Sequence, residues 1–177
     1  MLVALGDTHG ERSHRLEGRT LTAAREADHV CHTGDFTTER VYEAIANEAG
    51  SKQGGTPLSA VAGNSDEPTL AARLPNTVTV EYGGYTVVLV HGHDHDDTSL
   101  SLLARQEGAE IIIAGHTHRP AIERTSHCLL VNPGSHADPR GNRPGHAELT
   151  RRETGATIEL RTPDGDLIAD HTLSEPR

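Results

Sequence analysis

The chain has 177 residues and a mass of 18.9 kDa, the size of one domain whose core buries roughly 70% of the unfolded surface, and a single domain over residues 1–177 is expected. Apolar residues, with glycine counted in and tyrosine left out, make up about 42% of it, a little under the ~45–50% of ordinary globular chains, so the core is lean. One Phe, three Tyr and no Trp exclude a base-stacking platform for single-stranded nucleic acid; a net charge of −10, with 15 Arg beside the sole lysine Lys52, disfavours non-specific nucleic-acid binding and suits a halophilic surface.

Six short apolar runs recur along the chain, each ending in a glycine-containing or polar cluster: LVALGDTHG from Leu2, HVCHTGD from His29, LSAVAGNSD from Leu58, TVVLVHGHD from Thr86, IIIAGHTH from Ile111 and LLVNPGS from Leu129. They read as strands running into loops. Amphipathic stretches lie between them at Leu21–Ala27, Glu39–Ala49, Thr69–Leu74 and Thr98–Glu107, and this alternation predicts an α/β architecture. The unbroken apolar character of VVLV and IIIA predicts strands covered on both faces. After Asn132 a loop rich in Pro and Gly gives way to HAEL, ATIEL and LIADHTL, an antiparallel meander turning at Pro163-Asp164-Gly165-Asp166 and expected to close a second sheet.

No run approaches the ~20 apolar residues of a membrane span, and Met1–Asp7 carries neither a basic leader nor a small-residue cleavage site, so the expected location is cytoplasmic, with no membrane partner. Cys31 and Cys128 each sit in an apolar run and are expected to be buried thiols rather than a disulfide or a zinc site.

The chemistry-bearing residues cluster at the downstream ends of the runs, where open α/β sheets bind ligands. Asp7 and His9 follow the first run, and in extended chain residues i and i+2 project to one side. Asp35 ends the second run, Asn64 the third, His91 and His93 the fourth, His116 and His118 the fifth. Carboxylate with imidazole is the donor set of divalent first-row cations. Seven ligands are too many for one tetrahedral zinc, whereas two cations sharing Asp35 fit the count, as in hydrolases that cleave phosphate esters. Gly6, Gly34, Gly63 and Gly115, which turns with positive φ would also explain, accompany these residues in one order along the chain.

The ordered motifs D-x-H, G-D, G-N, H and G-H-x-H resemble the calcineurin-like metallophosphoesterase superfamily, and GDTHG, HTGDFT, GNSD, VHGH, AGHTHRP and NPGS…PRG are similar to its small YfcE-type phosphodiesterases, over about residues 1–141. The resemblance implies a four-layer sandwich, two mixed β-sheets packed face to face with helices outside. It implies that Asp7, His9, Asp35 and His118 hold one divalent metal ion and Asp35, Asn64, His91 and His116 the other, with Mn favoured over Ni, Fe, Co or Zn. The implied substrate is a small or nucleotide-type phosphodiester, attacked by a hydroxide bridging the two metals; the alternatives are a phosphomonoesterase of the same chemistry and a non-catalytic scaffold, the use a retromer subunit makes of this fold. Small relatives often pair, so a homodimer is among the expected assemblies. Many superfamily members follow the ligand Asn with a proton-donating His; here Ser65 stands there, and His93 is the candidate substitute.

Around this set, His32 reads as a residue orienting a ligand or as a structural histidine. His14, His29, His127, His146 and His171 read as ordinary hydrogen-bonding residues. Asn132-Pro133-Gly134-Ser135 reads as a structural loop in preference to a phosphate cradle, and Arg140, Arg143, Arg151 and Arg152 as salt-bridge partners of the acidic surface in preference to a nucleic-acid track. No basic groove or extra domain suggests a polymeric nucleic-acid substrate.

Overall fold

A computed structural model describes residues 1–51, 54 and 58–176; Lys52 lies outside them. In chain order it contains β1 (Leu2–Leu5), α1 (Gly18–Glu26), β2 (His29–His32), α2 (Glu39–Glu48), β3 (Leu58–Ala60), α3 (Pro68–Ala71), β4 (Thr77–Tyr82), β5 (Tyr85–Val90), α4 (Asp97–Glu107), β6 (Ile111–Ala114), β7 (Ala121–Arg124), β8 (Leu129–Asn132), β9 (His146–Arg151), β10 (Ala156–Arg161) and β11 (Leu167–Leu173). The strands form a six-stranded sheet, β11-β10-β9-β1-β2-β3, and a five-stranded sheet, β4-β5-β6-β8-β7.

Alternation along the strands builds the layers. Leu2 and Ala4 of β1, Val87 and Leu89 of β5, and Ile111 and Ile113 of β6 point into the core between the sheets. Val3 and Leu5 point outward against Ala23 and Ala24 of α1 and Val41 and Ile45 of α2. Val88, Val90 and Ile112 meet Leu100 and Ala104 of α4. The expected sandwich of two sheets with helices outside is therefore observed, and VVLV and IIIA are covered on both faces. Each fully buried Val, Leu or Ile contributes about 1.5–3 kcal/mol; Phe36 and Tyr85 are the largest side chains in the core. Both cysteines are buried and free.

Helix ends follow local chemistry. Thr38 caps α2 by accepting from the Val41 N–H, and Asp96 caps α4 in a reciprocal bond with Ser99, while Gly108 ends that helix in the left-handed region at φ 66°.

The meander differs from expectation in one respect. It closes no second sheet: β9 pairs antiparallel with β1, Val3 opposite Glu148, and extends the sheet that β1 begins. The second sheet is completed instead by β4 and β7, two strands absent from the sequence reading. Both are edge strands, half exposed and carrying polar residues, so neither shows the apolar run of a buried strand.

Candidate metal centre

Strands β1, β2 and β3 are parallel neighbours in one sheet, and β5 and β6 in the other. Their carboxyl ends share one rim, and all the loops carrying candidate ligands leave from it. The loops are laced by backbone bonds: the Asp7 N–H donates to Gly34 O at 3.1 Å and the His9 N–H to Asp35 O at 3.0 Å.

Asp7, His9, Asp35, His116 and His118 have φ of 50, 44, 59, 70 and 57°. Left-handed backbone at a non-glycine residue costs of order 1–3 kcal/mol and persists where the surroundings impose it. Asp7 and His9 therefore converge through this backbone form, not through the i, i+2 geometry of an extended strand. Of the glycines accompanying them, only Gly34 has positive φ, 92°. Gly63 and Gly115 permit close approach: a Cβ at Gly63 would fall 2.1 Å from Asp35 Oδ1, and one at Gly115 2.9 Å from Asp7 Oδ2.

Asp35 Oδ2 lies 3.1 Å from His9 Nε2 and 3.5 Å from His91 Nε2, while Oδ1 accepts from the Ser65 N–H at 2.7 Å. His91 Nδ1 contacts the Thr33 carbonyl at 2.7 Å; a carbonyl only accepts, so the proton sits on Nδ1 and the lone pair on Nε2. That lone pair faces Asn64 Oδ1 at 2.9 Å. Two acceptors this close repel unless a cation lies between them, and this pair would hold one. His118 is fixed in the same way, Nδ1–H donating to the Asp138 carbonyl. Its buried Nε2 has no hydrogen-bond partner, nor has the buried Asp7 Oδ2. Such orphaned polar atoms cost about 1–3 kcal/mol each when nothing binds them.

The ligand atoms of Asp7, His9 and His118 lie within 4.8 Å of one another, as do those of Asp7, Asp35 and His91. His116 gives its backbone N–H to Asp7 Oδ1 at 3.1 Å, and its exposed ring stands 5.3 Å from the His91 ring. The donor set and the orphaned atoms together fit divalent cations.

Burial, then repulsion from Asp35, pushes the Asp7 carboxyl up to about 7. Burial raises Asp35 too, but the hydrogen bond from His9, the charge of His91 and the Ser65 N–H outweigh it and hold Asp35 well below the usual carboxylate range. The same bond to Asp35 raises His9. Burial lowers His91 and His118, favouring the neutral imidazole that metal binding requires.

Of the remaining candidates, His93 is exposed at the rim, its ring 5.3 Å from that of His91 and its Nε2 3.0 Å from Asp94 Oδ2. Ser65 Oγ accepts from Asn64 Nδ2 at 3.3 Å. His32 is fully buried: it accepts from the Gly34 N–H at 3.2 Å, donates to Thr8 Oγ1 at 2.9 Å and stacks on Phe36. It thus braces the loops that carry Asp7 and Asp35, without touching a ligand side chain. Asn132 is structural as expected, donating to Gly115 O and Thr117 Oγ1.

Two supporting residues, Asp66 and Asp138, escaped the sequence reading, and Ser135 was read only as part of a structural loop. Asp66 accepts from the N–H groups of Gly63 and Thr37 at 2.8 Å and of Asp35 at 3.3 Å, tying two ligand loops together; the signal was the Asp of GNSD, three residues beyond Gly63, whose side chain reaches back to the Gly63 N–H. Ser135 Oγ donates to Asp7 O at 2.6 Å and accepts from the Asp138 N–H at 2.8 Å. Asp138 holds His118.

A profile of the calcineurin-like phosphoesterase superfamily domain matches residues 1–154. The chain belongs to that superfamily. YsnB of Bacillus subtilis, a probable metallophosphoesterase, is 30% identical over 167 residues, spanning 89% of this chain and 91% of YsnB. A probable metallophosphoesterase of Methanothermobacter thermautotrophicus is 28% identical over 144 residues, 79% of each chain. The fold is shared with two solved structures. Vps29 of Entamoeba histolytica complexed with Zn2+ has a TM-score of 0.74 at 24% identity, over 98% of both chains. YfcE, a phosphoesterase of E. coli, has a TM-score of 0.72 at 21% identity, over 98% of this chain and 99% of YfcE.

Proposed function

We propose that this metallophosphoesterase is a phosphodiesterase, hydrolysing a small or nucleotide-type phosphodiester at a centre of two divalent cations. The observation that carries the reading is the position of Asp35 Oδ2 between His9 Nε2 and His91 Nε2, with Asn64 Oδ1 facing the His91 lone pair. Asp7, His9, Asp35 and His118 would hold one ion, and Asp35, Asn64, His91 and His116 the other. The mixed oxygen and nitrogen donors suit Mn, with Ni, Fe, Co and Zn as alternatives. When bound, such ions lower the pKa of water from 15.7 towards about 7 and supply positive charge to a phosphoryl group.

The chain's own residues do the rest. Thr33 and Asp138 fix the tautomers of His91 and His118, so each presents a lone pair. Asn64 is a neutral ligand whose amide hydrogens can meet a phosphate oxygen. Ser65 stands where many relatives carry a proton donor, and a serine hydroxyl transfers protons poorly near neutral pH. The rim residue His93 is the proposed donor to the leaving alkoxide. With Ser65 in the usual donor's place, a dianionic monoester, which depends more on a proton reaching its leaving alkoxide, is the poorer substrate. Bis-p-nitrophenyl phosphate should therefore turn over faster than p-nitrophenyl phosphate with manganese in high salt; a faster monoester rate would replace this reading with a phosphomonoesterase.

A protein-binding scaffold is the second reading, favoured by the fold shared with Vps29, which in Chaetomium thermophilum has been solved in complex with a cyclic peptide. Against it stands the unbroken set of ligand-capable side chains. Substituting Asp35 or His116 by Ala should abolish metal-dependent turnover, and unchanged turnover would favour the scaffold. Among the described residues no helix is long and apolar enough to cross a membrane, and the proposed setting is the cytoplasm.

A further inference from the structure

We infer that Arg140 binds the phosphoryl oxygens of the substrate at this centre, an assignment that rests on the two-cation reading above. The sequence placed Arg140 among surface salt-bridge partners and, as the Arg of NPGS…PRG, within the motifs that carry the family resemblance. It does pair with Asp138, Nε to Oδ2 at 3.1 Å, but its Nη2 also reaches 3.3 Å from His9 Nε2. Among the described residues this is the one guanidinium in hydrogen-bond range of a candidate ligand side chain.

The placement is built by the loop between β8 and β9. Ser135 anchors that loop to the Asp7 carbonyl, the Asp138 carbonyl receives the His118 Nδ1–H, and the Asn142 N–H closes a turn on Pro139 O at 2.8 Å. Arg140 sits in the turn at φ 49°, before Gly141 at φ 84°. Asp138 thus holds a candidate metal ligand with its carbonyl and Arg140 with its carboxylate. The contact with His9 does not hold the guanidinium, because His9 Nε2 gives its proton to Asp35 Oδ2 at 3.1 Å and so has no lone pair for Arg140. Both terminal nitrogens of Arg140 keep donors free, and its side chain is 55% exposed at the rim.

Charge decides what these donors are for. The positive charge of Arg140 is felt at Asp7, His9 and His118, where two divalent cations are proposed to sit. A guanidinium beside such ions opposes their binding unless an anion completes the arrangement. The non-bridging oxygens of a phosphodiester match the planar fork of arginine, which can grip two of them at once. Gripped from the His9 side, the phosphoryl group is held without calling on His93, whose ring stands 5.3 Å from that of His91. Charge that builds on the gripped oxygens during displacement meets a donor already in place.

The test uses the full chain and its R140A and R140K variants. Calorimetric titration with manganese alone comes first, then titration of the manganese-saturated proteins with inorganic phosphate. R140A should bind manganese as tightly as the wild type or more tightly, while its phosphate Kd rises about 10- to 100-fold, the loss expected for hydrogen bonds to a charged group. R140K should recover only part of the affinity, since lysine supplies the charge without the fork. If R140A fails to fold, R140K carries the test, with phosphate binding at least about fivefold weaker than wild type expected. Phosphate affinity unchanged in the variants, or manganese binding lost in R140A, overturns the assignment and makes Arg140 a structural brace of His9. Failure of the wild type to bind manganese at all overturns the two-cation reading, and this inference with it.

Discussion

His91, beyond β5 of one sheet, donates its Nδ1 hydrogen to the carbonyl of Thr33, beyond β2 of the other, at 2.7 Å. The ring is aimed by a bond that exists only when the two sheets are packed. Metal affinity is therefore coupled to folding.

Manganese should accordingly raise stability, by about 2.7 kcal/mol at a concentration one hundred times its Kd. Asp35→Asn should remove most of that increment and lower phosphodiester hydrolysis at least about 10³-fold. Urea unfolding with and without manganese, beside steady-state rates, checks both; a metal-dependent increment of full size in the variant would contradict the central place given to Asp35.

Asp66 touches no proposed ion, yet it collects the N–H groups of Gly63, Thr37 and Asp35. Asp66→Ala should loosen the loops carrying Asp35 and Asn64 and weaken manganese binding about 10- to 100-fold, the usual effect of losing a partner that orients ligands. Titration of the folded variant with manganese measures this.

At Gly63 an added Cβ would sit 2.1 Å from Asp35 Oδ1 and 2.2 Å from Asp35 N. The first ends a buried side chain already held by the Ser65 N–H, and the second is backbone, so neither gives way easily. Gly63→Ala should destabilise by about 1–3 kcal/mol and impair metal binding as well. Gly54→Ala, where the site has open space around it, is the control for chain entropy, although its φ of 89° adds its own strain.

His136 is buried, its Nε2–H donating to His14 O at 2.9 Å, and burial pushes it down from 6.5 to about 4. Above pH 6.5 it is neutral folded or unfolded. Between 6.5 and 4 the unfolded chain takes up a proton that the native state does not, so stability falls with pH, by up to about 3 kcal/mol. Metal-free Asp7 works in the opposite sense: raised from 3.8 to about 7, it takes up its proton in the native state first and adds stability as pH falls through that range. The difference in unfolding free energy between wild type and His136→Gln isolates the histidine. That difference should shift against the wild type as pH drops from 7 to 4, and a pH-independent difference would contradict the burial argument.

The site residues were legible because each closes a strand, and a strand end is a local event: an apolar run stops, a glycine follows, and a polar side chain is left at the rim. That pattern singled out Asp7, His9, Asp35, Asn64, His91, His93, His116 and His118 as candidates with no knowledge of how the sheets pack. It did not find β4 or β7, whose exposed faces carry polar residues as edge strands must, and it misplaced the meander, because period-two alternation fixes which face of a strand is buried but not which strand lies beside it.

Composition and pattern alone determined a lean α/β domain with divalent-metal donors at one end of its strands. Only the tertiary structure decided that β9 joins β1, that Asp66 and Ser135 brace the ligand loops, and that Arg140 stands beside His9, 131 residues away in sequence. A hydrogen bond or ion pair spanning that distance leaves no trace in local periodicity. It is set by which loops the packed sheets bring to one rim.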